Sequence, residues 1–206
     1  MPYLCIRQTP RGNLKTSFHS PHLHISLIKN RMSKILKVRN VNDYASYVGC
    51  KEQHPLVSVI NYVEVSPVRH SLNDYGVYGI FFHDEAEIDL AYGCGKYDYK
   101  KGTVICVAPG QVGGKEDNGE EVMLTGWALL FHPDLLHGFP LEKRIREYSF
   151  FDYRINEALH MTEEEHDILA SLMRQIREEL GKKPDELQRA ILVGYIELAL
   201  NFCQRF

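Results

Sequence analysis

The sequence has few cysteines, and they follow no pairing pattern. Its 206 residues contain five, namely Cys5, Cys50, Cys94, Cys106 and Cys203, and no two of them form a Cys-x-x-Cys pair. Disulfide scaffolds and zinc ribbons need evenly paired or closely spaced cysteines. Their absence argues against both classes and predicts a chain that works in the reducing environment of the cytoplasm.

Long apolar runs and the common catalytic or phosphate-binding loops are missing as well. No apolar run approaches the roughly 20 residues that span a bilayer, and the N-terminal residues lack the apolar segment of a signal peptide. We therefore predict no membrane partner. The sequence contains no Gly-x-x-x-x-Gly-Lys-Ser/Thr or Gly-x-Gly-x-x-Gly phosphate-binding loop and no Gly-x-Ser-x-Gly nucleophile elbow. It therefore does not support nucleotide chemistry or serine-based hydrolysis.

Acidic residues are missing from the first 42 positions, which hold eight Lys or Arg. The remainder has 16 basic and 27 acidic residues, so the net charge of -3 combines a segment of +8 with one of -11. Residues 1–35 show no sustained period of 2 or 3.6, and we predict a loosely ordered basic arm there. The acidic balance of the rest argues against direct DNA binding by the folded part.

The middle of the chain has the pattern of an all-β domain. With 44% hydrophobic residues the protein can bury a core. Short β segments alternate with turn residues, without helical patterns between them, which predicts a sandwich or barrel. The candidate strands are residues 57–65, 75–82, 86–92, 102–108, 124–131 and 146–153. Residues 111–121, with three glycines and four acids, are predicted to be an exposed connection.

Two helices are predicted after this β region. Thr162 and Glu165 form a capping box that starts the first helix, and Gly181 offers a left-handed C-terminal stop. Pro184 and Asp185 are suited to start the second helix. The first helix carries an apolar stripe at helical spacing, formed by Ile168, Leu169, Leu172, Ile176 and Leu180.

The second helix is apolar on two faces, which predicts two burial partners. One partner is its own domain, and we expect the other to be a second subunit, since large apolar patches mark interfaces. The alternative is burial within one chain. The predicted dimer face contains Leu187, Ile191, Tyr195, Leu198 and Phe202.

The segment KGTVICVAPGQV (residues 101–112) resembles the second motif of the cupin superfamily, in which a Gly begins a strand that ends in a Pro-Gly turn. Here those residues are Gly102, Pro109 and Gly110. The segments GWALLFHPDLLHGFPL (126–141), EYSFFDYRINEALHMTEEE (147–165) and IELALNFCQRF (196–206) follow in order. Together they resemble the N-terminal, effector-binding and dimerisation domain of AraC-type bacterial transcription regulators, over roughly residues 36–206.

The resemblance implies a mainly β protein with C-terminal helices. Its parts would be a cupin-like jelly roll at residues 36–155 and a two-helix antiparallel hairpin for dimerisation at residues 156–206. A small effector would bind in the cupin cavity and shift the populations of two arrangements. DNA would be bound only through a helix-turn-helix domain, which we expect beyond Phe206 and absent from this chain. A natural stand-alone sensor domain is the alternative.

An enzyme is the rival class. Metal-dependent cupin enzymes combine a His-x-His pair, a Glu and a further His, but residues 41–153 contain no His-x-His, and Val112 or Gly113 occupies the position of a later ligand. We predict no enzyme, no catalytic residue, no metal and no cofactor. A stand-alone cupin enzyme, metal-dependent or of the sugar isomerase or epimerase type, is the alternative. A dimerisation module whose own side chains fill its cavity is a third reading.

A ligand in such a cavity would contact strand residues. The candidates for ligand binding are Tyr62, Glu64, Arg69, His70, Tyr78, His83 and Trp127, with Phe81 and Phe131 as further walls. A shift of one residue in strand register moves every side chain to the other face. The sequence alone therefore leaves open which candidates point inward.

Overall fold

A five-stranded antiparallel sheet, covered on both faces, lies at the centre of the fold. The computed structural model describes residues 35–84, 89–92, 95–98, 102–151 and 159–206. We call it the central sheet and number strands along the chain. Its spatial order is β12 (Leu159–His160), β8 (Thr103–Val107), β5 (Tyr78–Phe82), β11 (Trp127–Phe131) and β2 (Val57–Asn61). The strand sequences VSVIN, YGIFF, TVICV and WALLF are nearly continuous apolar runs, as expected for strands buried on both sides.

A second sheet covers one face of the central sheet. Its order is β1 (Leu36–Val38), β4 (Leu72–Tyr75), β9 (Val112–Gly114), β6 (Asp89–Tyr92) and β7 (Gly95–Asp98). β1 runs parallel to β4, and the other pairs are antiparallel. β3 (Val68–Arg69) and β10 (Glu121–Val122) form a separate pair.

Helix α1 (Val41–Tyr47) starts with a capping box between Asn40 and Asp43 and packs on the same side of the central sheet as the second sheet. Short helix α2 (Tyr62–Val65) directly continues β2. The core on this side includes Ile60, Ile105 and Leu130.

A pair of long helices covers the other face. Helix α4 (Glu163–Leu180) and helix α5 (Gln188–Arg205) pack against each other and bury Leu169, Met173, Ile196 and Leu200 in one core with the central sheet. Helix α3 (Leu141–Arg144) and three short 3-10 helices, Pro133–Leu136, Ile145–Glu147 and Ser149–Phe151, add further apolar residues to this core. Antiparallel sheets followed by a C-terminal helix pair are thus confirmed. Within the described ranges, no helix has both the length and the apolar character needed to cross a membrane.

The sequence signals correctly predicted where α4 starts and ends, but they were wrong about the conformation of Gly181 and the start of α5. The capping box of Thr162 and Glu165 is present, so α4 starts as predicted. Gly181 ends the helix but has φ -79°, which is right-handed, because the chain leaves through a tighter turn in which Lys182 N–H donates to Glu179 O. α5 begins at Gln188, not at Pro184, because the Asp185 carboxylate accepts the N–H groups of Leu187 and Gln188 in a preceding turn.

Two strand predictions and one prediction of an exposed connection also need correction. The strand predicted at residues 57–65 ends at Asn61, whose side chain accepts the Val63 N–H and starts α2. Residues 145–151 form 3-10 turns, since their aromatic residues pack into the core without strand pairing. The predicted connection at 111–121 contains β9 and a buried Gln111, whose amide bonds the Ala108 N–H and the Phe151 carbonyl. Three predicted stretches lie outside the described residues. They are the predicted arm apart from Ile35, residues 86–88 of the third candidate strand and residues 152–153 of the last candidate strand.

Gly102, the residue before β8, allows a test of the backbone conformation at this position. Gly102 has φ +82°, and a Cβ there would lie 2.6 Å from the Met161 carbonyl oxygen. We predict that Gly102→Ala lowers the free energy of unfolding by more than about 1 kcal/mol, from backbone strain and this clash. Urea unfolding followed by the fluorescence of Trp127, the single tryptophan, measures it.

Gly194→Ala is the matched control. Gly194 lies within α5, and a Cβ there would meet no atom within 4 Å. The same change should stabilise the protein by up to about 1 kcal/mol, because alanine has the higher helix propensity. Equal destabilisation by both substitutions would contradict this account of Gly102.

Candidate functional site

A cavity of about 80 Å³ lies between the two sheets. Phe81, Ile105 and Val107 of the central sheet line one side, and Asn73 and Tyr75 of β4 line the other. Among the described residues, the lining is formed by Tyr44, Tyr62, Val68, Arg69, His70, Ser71, Asn73, Tyr75, Phe81, His83, Ile105, Val107, Gly113, Gly114, Lys115 and Leu124. The cavity therefore combines an apolar wall with a group of polar side chains.

Two buried tyrosines meet in this cavity. The hydroxyls of Tyr44, from α1, and Tyr62, from α2, are 2.7 Å apart and hydrogen-bonded. Burial, followed by the proximity of Tyr62, raises the pKa of Tyr44 well above its ordinary value, so its hydroxyl stays protonated. The pair presents hydroxyl groups in fixed positions inside the core.

His83 follows β5 and is held in one orientation. Its ring stacks on Tyr62 with ring centroids 5.0 Å apart, and its Nδ1 lies 2.9 Å from the Thr125 carbonyl oxygen. A carbonyl can only accept, so Nδ1 carries the proton in this bond. Burial lowers the pKa of His83, which keeps the ring neutral at pH 7 and leaves Nε2 as its acceptor nitrogen.

A second polar network lies on the opposite wall. The Ser71 hydroxyl donates to Asn73 Oδ1 at 2.7 Å, and Asn73 Nδ2 donates to the Tyr75 hydroxyl at 3.0 Å and to the Ser71 carbonyl at 3.2 Å. Asn73 and Tyr75 are buried. Such mutual bonds offset the cost of burying polar groups and fix their orientation.

The cavity mouth, formed by Arg69, His70 and Lys115, carries basic side chains. Arg69 is exposed, and its guanidinium donates to the Gly119 carbonyl at 3.2 Å and lies 3.8 Å from an Asp117 oxygen. His70 and Lys115 are half-buried. Burial, and then the charge of Lys115, lower the pKa of His70.

Four of the residues proposed from the sequence meet in this cavity. Tyr62, Arg69, His70 and His83 all line it, whereas Glu64, Tyr78 and Trp127 do not. Phe81 lines it, but Phe131 does not. Whether the four bind a ligand stays a prediction.

The strand register explains why Tyr78 and Trp127 are excluded. Side chains alternate along a strand, so Tyr78 and Phe82 share one face of β5 while Phe81 occupies the other. Tyr78 stacks on Phe131, with ring centroids 5.2 Å apart, in the core that faces the helices. Trp127 lies opposite Phe82 in the same core.

Glu64 has a different position, on the exposed side of α2. Its two carboxylate oxygens each accept a hydrogen bond of 2.6 Å from the guanidinium of Arg177 on α4. This bidentate pair lowers the pKa of Glu64. The short helix thus presents Tyr62 to the cavity and Glu64 to the helix pair.

Four lining residues, Tyr44, Asn73, Tyr75 and Lys115, were not predicted from the sequence. Tyr44 lies on α1, whose Asn40–Asp43 capping box was a usable but overlooked helix signal. Asn73 and Tyr75 alternate along β4 and are both buried, which a strand pattern permits but does not specify. Lys115 lies in a glycine-rich segment whose pairing with β4 is a long-range contact.

The histidines around residues 132–137 serve local structure. His132 Nδ1 accepts the Asp134 N–H at 3.2 Å, as expected for a residue before a Pro-initiated turn. His137 is exposed and lies 2.8 Å from Glu142 Oε1, which raises the pKa of His137. Among the residues that the structure describes, no group of three or more His, Cys, Asp or Glu is placed to hold a metal ion.

No protein-family model and no curated protein matches this chain. The functional interpretation therefore depends on the quoted sequence motifs and on the geometry of the cavity.

The Glu64–Arg177 pair gives a stability prediction. The side chains of Glu64 and Arg177 are 51% and 39% exposed, so solvent weakens their attraction. A double-mutant cycle of Glu64→Gln and Arg177→Met should therefore give a coupling free energy of about 0.5–1 kcal/mol at pH 7. The pKa of Glu64 is depressed, so the coupling is complete above its ordinary value of 4.5 and is lost as the pH falls through the lower, folded-state pKa. Urea unfolding between pH 7 and pH 3 measures it.

The Arg144–Glu197 pair is a suitable comparison for that cycle. It has one hydrogen bond of 2.7 Å instead of two, so its coupling should be smaller. A Glu64–Arg177 coupling that is absent at pH 7, or that increases toward pH 3, would contradict the role given to the pair.

Proposed function

We propose that this chain is the small-molecule-sensing and dimerisation domain of an AraC-type transcription regulator. A small effector binds in the cavity between the sheets, and the α4–α5 pair joins two subunits and passes the signal to a helix-turn-helix domain that binds DNA. The cavity is the observation that carries this proposal. Buried polar groups that converge among apolar walls are typical of a ligand site.

The strand order supports a cupin-like jelly roll. In the central sheet the order is β8-β5-β11-β2, and in the second sheet it is β4-β9-β6-β7, so strands distant in sequence lie side by side. Two Greek keys produce such an order in eight-stranded jelly rolls. Gly102, with φ +82°, and Gly110, with φ +90°, lie on either side of β8, where the cupin motif has its glycines.

The path from cavity to helices is short. Tyr62 contacts the cavity, and Glu64, two residues later on α2, holds Arg177 of α4. A ligand that displaces Tyr62 would move α2 and change the strain on this ion pair. In this proposal the effector changes the position of α4 through one short helix. Its contact with Tyr62 differs between the two arrangements, as a population shift requires.

The exposed face of α5 supports dimerisation. Leu187, Ile191 and Leu198 are 66%, 38% and 42% exposed, and Tyr195 and Phe202 beside them are half-buried. The opposite face of the helix is buried against its own domain. An apolar face of this kind on a soluble domain is typical of a subunit interface.

Ligand binding is tested by thermal unfolding against a panel of pentoses, polyols, amino acids, aromatic acids and short carboxylic acids. At least one compound should raise Tm in proportion to the logarithm of its concentration, since a ligand of the native state stabilises by mass action. Ile105→Phe, which fills the cavity, should abolish the shift. Ile191→Phe, the same change on exposed α5, should retain it. A panel without any such compound, or a shift that survives in Ile105→Phe, would overturn the sensing function.

Dimerisation is tested at the exposed face of α5. Leu198→Glu places a charge in the predicted interface and should weaken the dimer at least about tenfold in sedimentation velocity. Val63→Glu is the control, because Val63 on α2 is 61% exposed and lies away from α5. A wild-type protein that is monomeric at all concentrations, or equal effects of the two substitutions, would refute the dimer.

A further inference from the structure

Basic residues, and no acidic ones, line the cavity within the part of the chain that the structure describes. They are Arg69 and Lys115, which are charged, and His70 and His83, whose lowered pKa values keep their rings neutral at pH 7. This lining is unusual for a protein with 27 acidic and 24 basic residues. A lining of donors and cations favours a ligand that is anionic or rich in acceptors.

Lys115 is the cation that a ligand can use. Its side chain is half-buried at the cavity mouth, and in the described ranges no carboxylate lies within ion-pair distance of its ammonium group. The positive charge of Lys115 acts on the cavity lining, because burial and this charge together lower the pKa of His70. An unpaired cation beside a neutral histidine is a suitable partner for a carboxylate.

Two acidic residues of the neighbouring loop, Asp117 and Glu120, have other partners. Asp117 accepts the Gly119 N–H at 2.8 Å and lies 3.8 Å from Arg69. Glu120 accepts a bond of 2.6 Å from the Asn118 amide. Both carboxylates are exposed and act on His70 less strongly than Lys115 does. Neither carboxylate forms an ion pair with Lys115.

The size of the cavity limits the ligand. An engineered apolar cavity that holds one benzene molecule measures about 150 Å³, whereas this one measures about 80 Å³. The apolar part of a ligand is therefore smaller than a benzene ring. A charged group can lie at the mouth, where Lys115 and His70 are half-buried.

We propose that the cavity binds a short monocarboxylate with a body of about two to four carbon atoms. Its carboxylate binds Lys115 and His70, and its apolar end packs against Phe81, Ile105 and Val107. This inference rests on the proposed sensing function and names the chemical class of the effector.

Sodium propionate, with propionamide as its neutral analogue, tests the class by methyl NMR at constant ionic strength. Propionate should shift the methyl signals of Ile105 and Val107 in a saturable way and leave Ile80, on the other face of β5, unchanged. Propionamide should bind at least about tenfold more weakly, because it lacks the charge. Acetate, butyrate and lactate extend the series.

Variants of Lys115 complete the test. Lys115→Met should weaken propionate binding about tenfold or more, Lys115→Arg should largely retain it, and Lys143→Met, a change of an exposed lysine on α3, should have no effect. Equal binding of propionamide, unchanged binding in Lys115→Met, or no shift with any carboxylate would each overturn the carboxylate assignment. The sensing function would still stand if a neutral compound from the wider panel bound wild-type protein but not Ile105→Phe.

Discussion

The central sheet must bury both of its faces, and the other features of the structure follow from that constraint. Its strands are too apolar to leave one face in water. The alternation of side chains sends Ile80 and Phe82 toward α4 and α5, and Phe81 toward the second sheet. One layer therefore separates two environments, a closed core beneath the helices and a cavity-containing core between the sheets. The proposed ligand and the proposed subunit interface would thus lie on opposite sides of a single sheet.

The core between the sheets buries several polar side chains, which lowers its contribution to stability. Tyr44, Tyr62, Asn73 and His83 are buried there, and buried polar groups destabilise a protein unless they are hydrogen-bonded. The Tyr44–Tyr62 bond and the bond between His83 and the Thr125 carbonyl meet part of this need. An apolar core of the same shape would avoid the cost. A binding function, in which fixed donors and acceptors orient a small molecule, gives a physical reason for retaining these groups.

The distribution of charge also agrees with the proposed binding function of the cavity. Acids predominate outside the first 42 residues, yet basic side chains line the cavity. Acidic side chains also hold structural positions, as Glu64 does with Arg177 and Asp185 does before α5. In our proposal, DNA binding would therefore use a separate domain and anion binding would use the cavity. The carboxylate proposal can fail without the sensing proposal, but it depends on that proposal.

The sequence by itself determined the local features. Thr162 and Glu165 predicted the start of α4, Gly102 and Pro109-Gly110 marked the ends of β8, and the period of α5 identified its exposed apolar face. Those signals depend on residues a few positions apart. Only the tertiary structure decided which residues share the cavity. Long-range packing joins Tyr44 to Tyr62 and places Lys115 and His70 in the lining of one cavity. Strand register, which no local pattern records, sent Tyr78 and Trp127 to the opposite face.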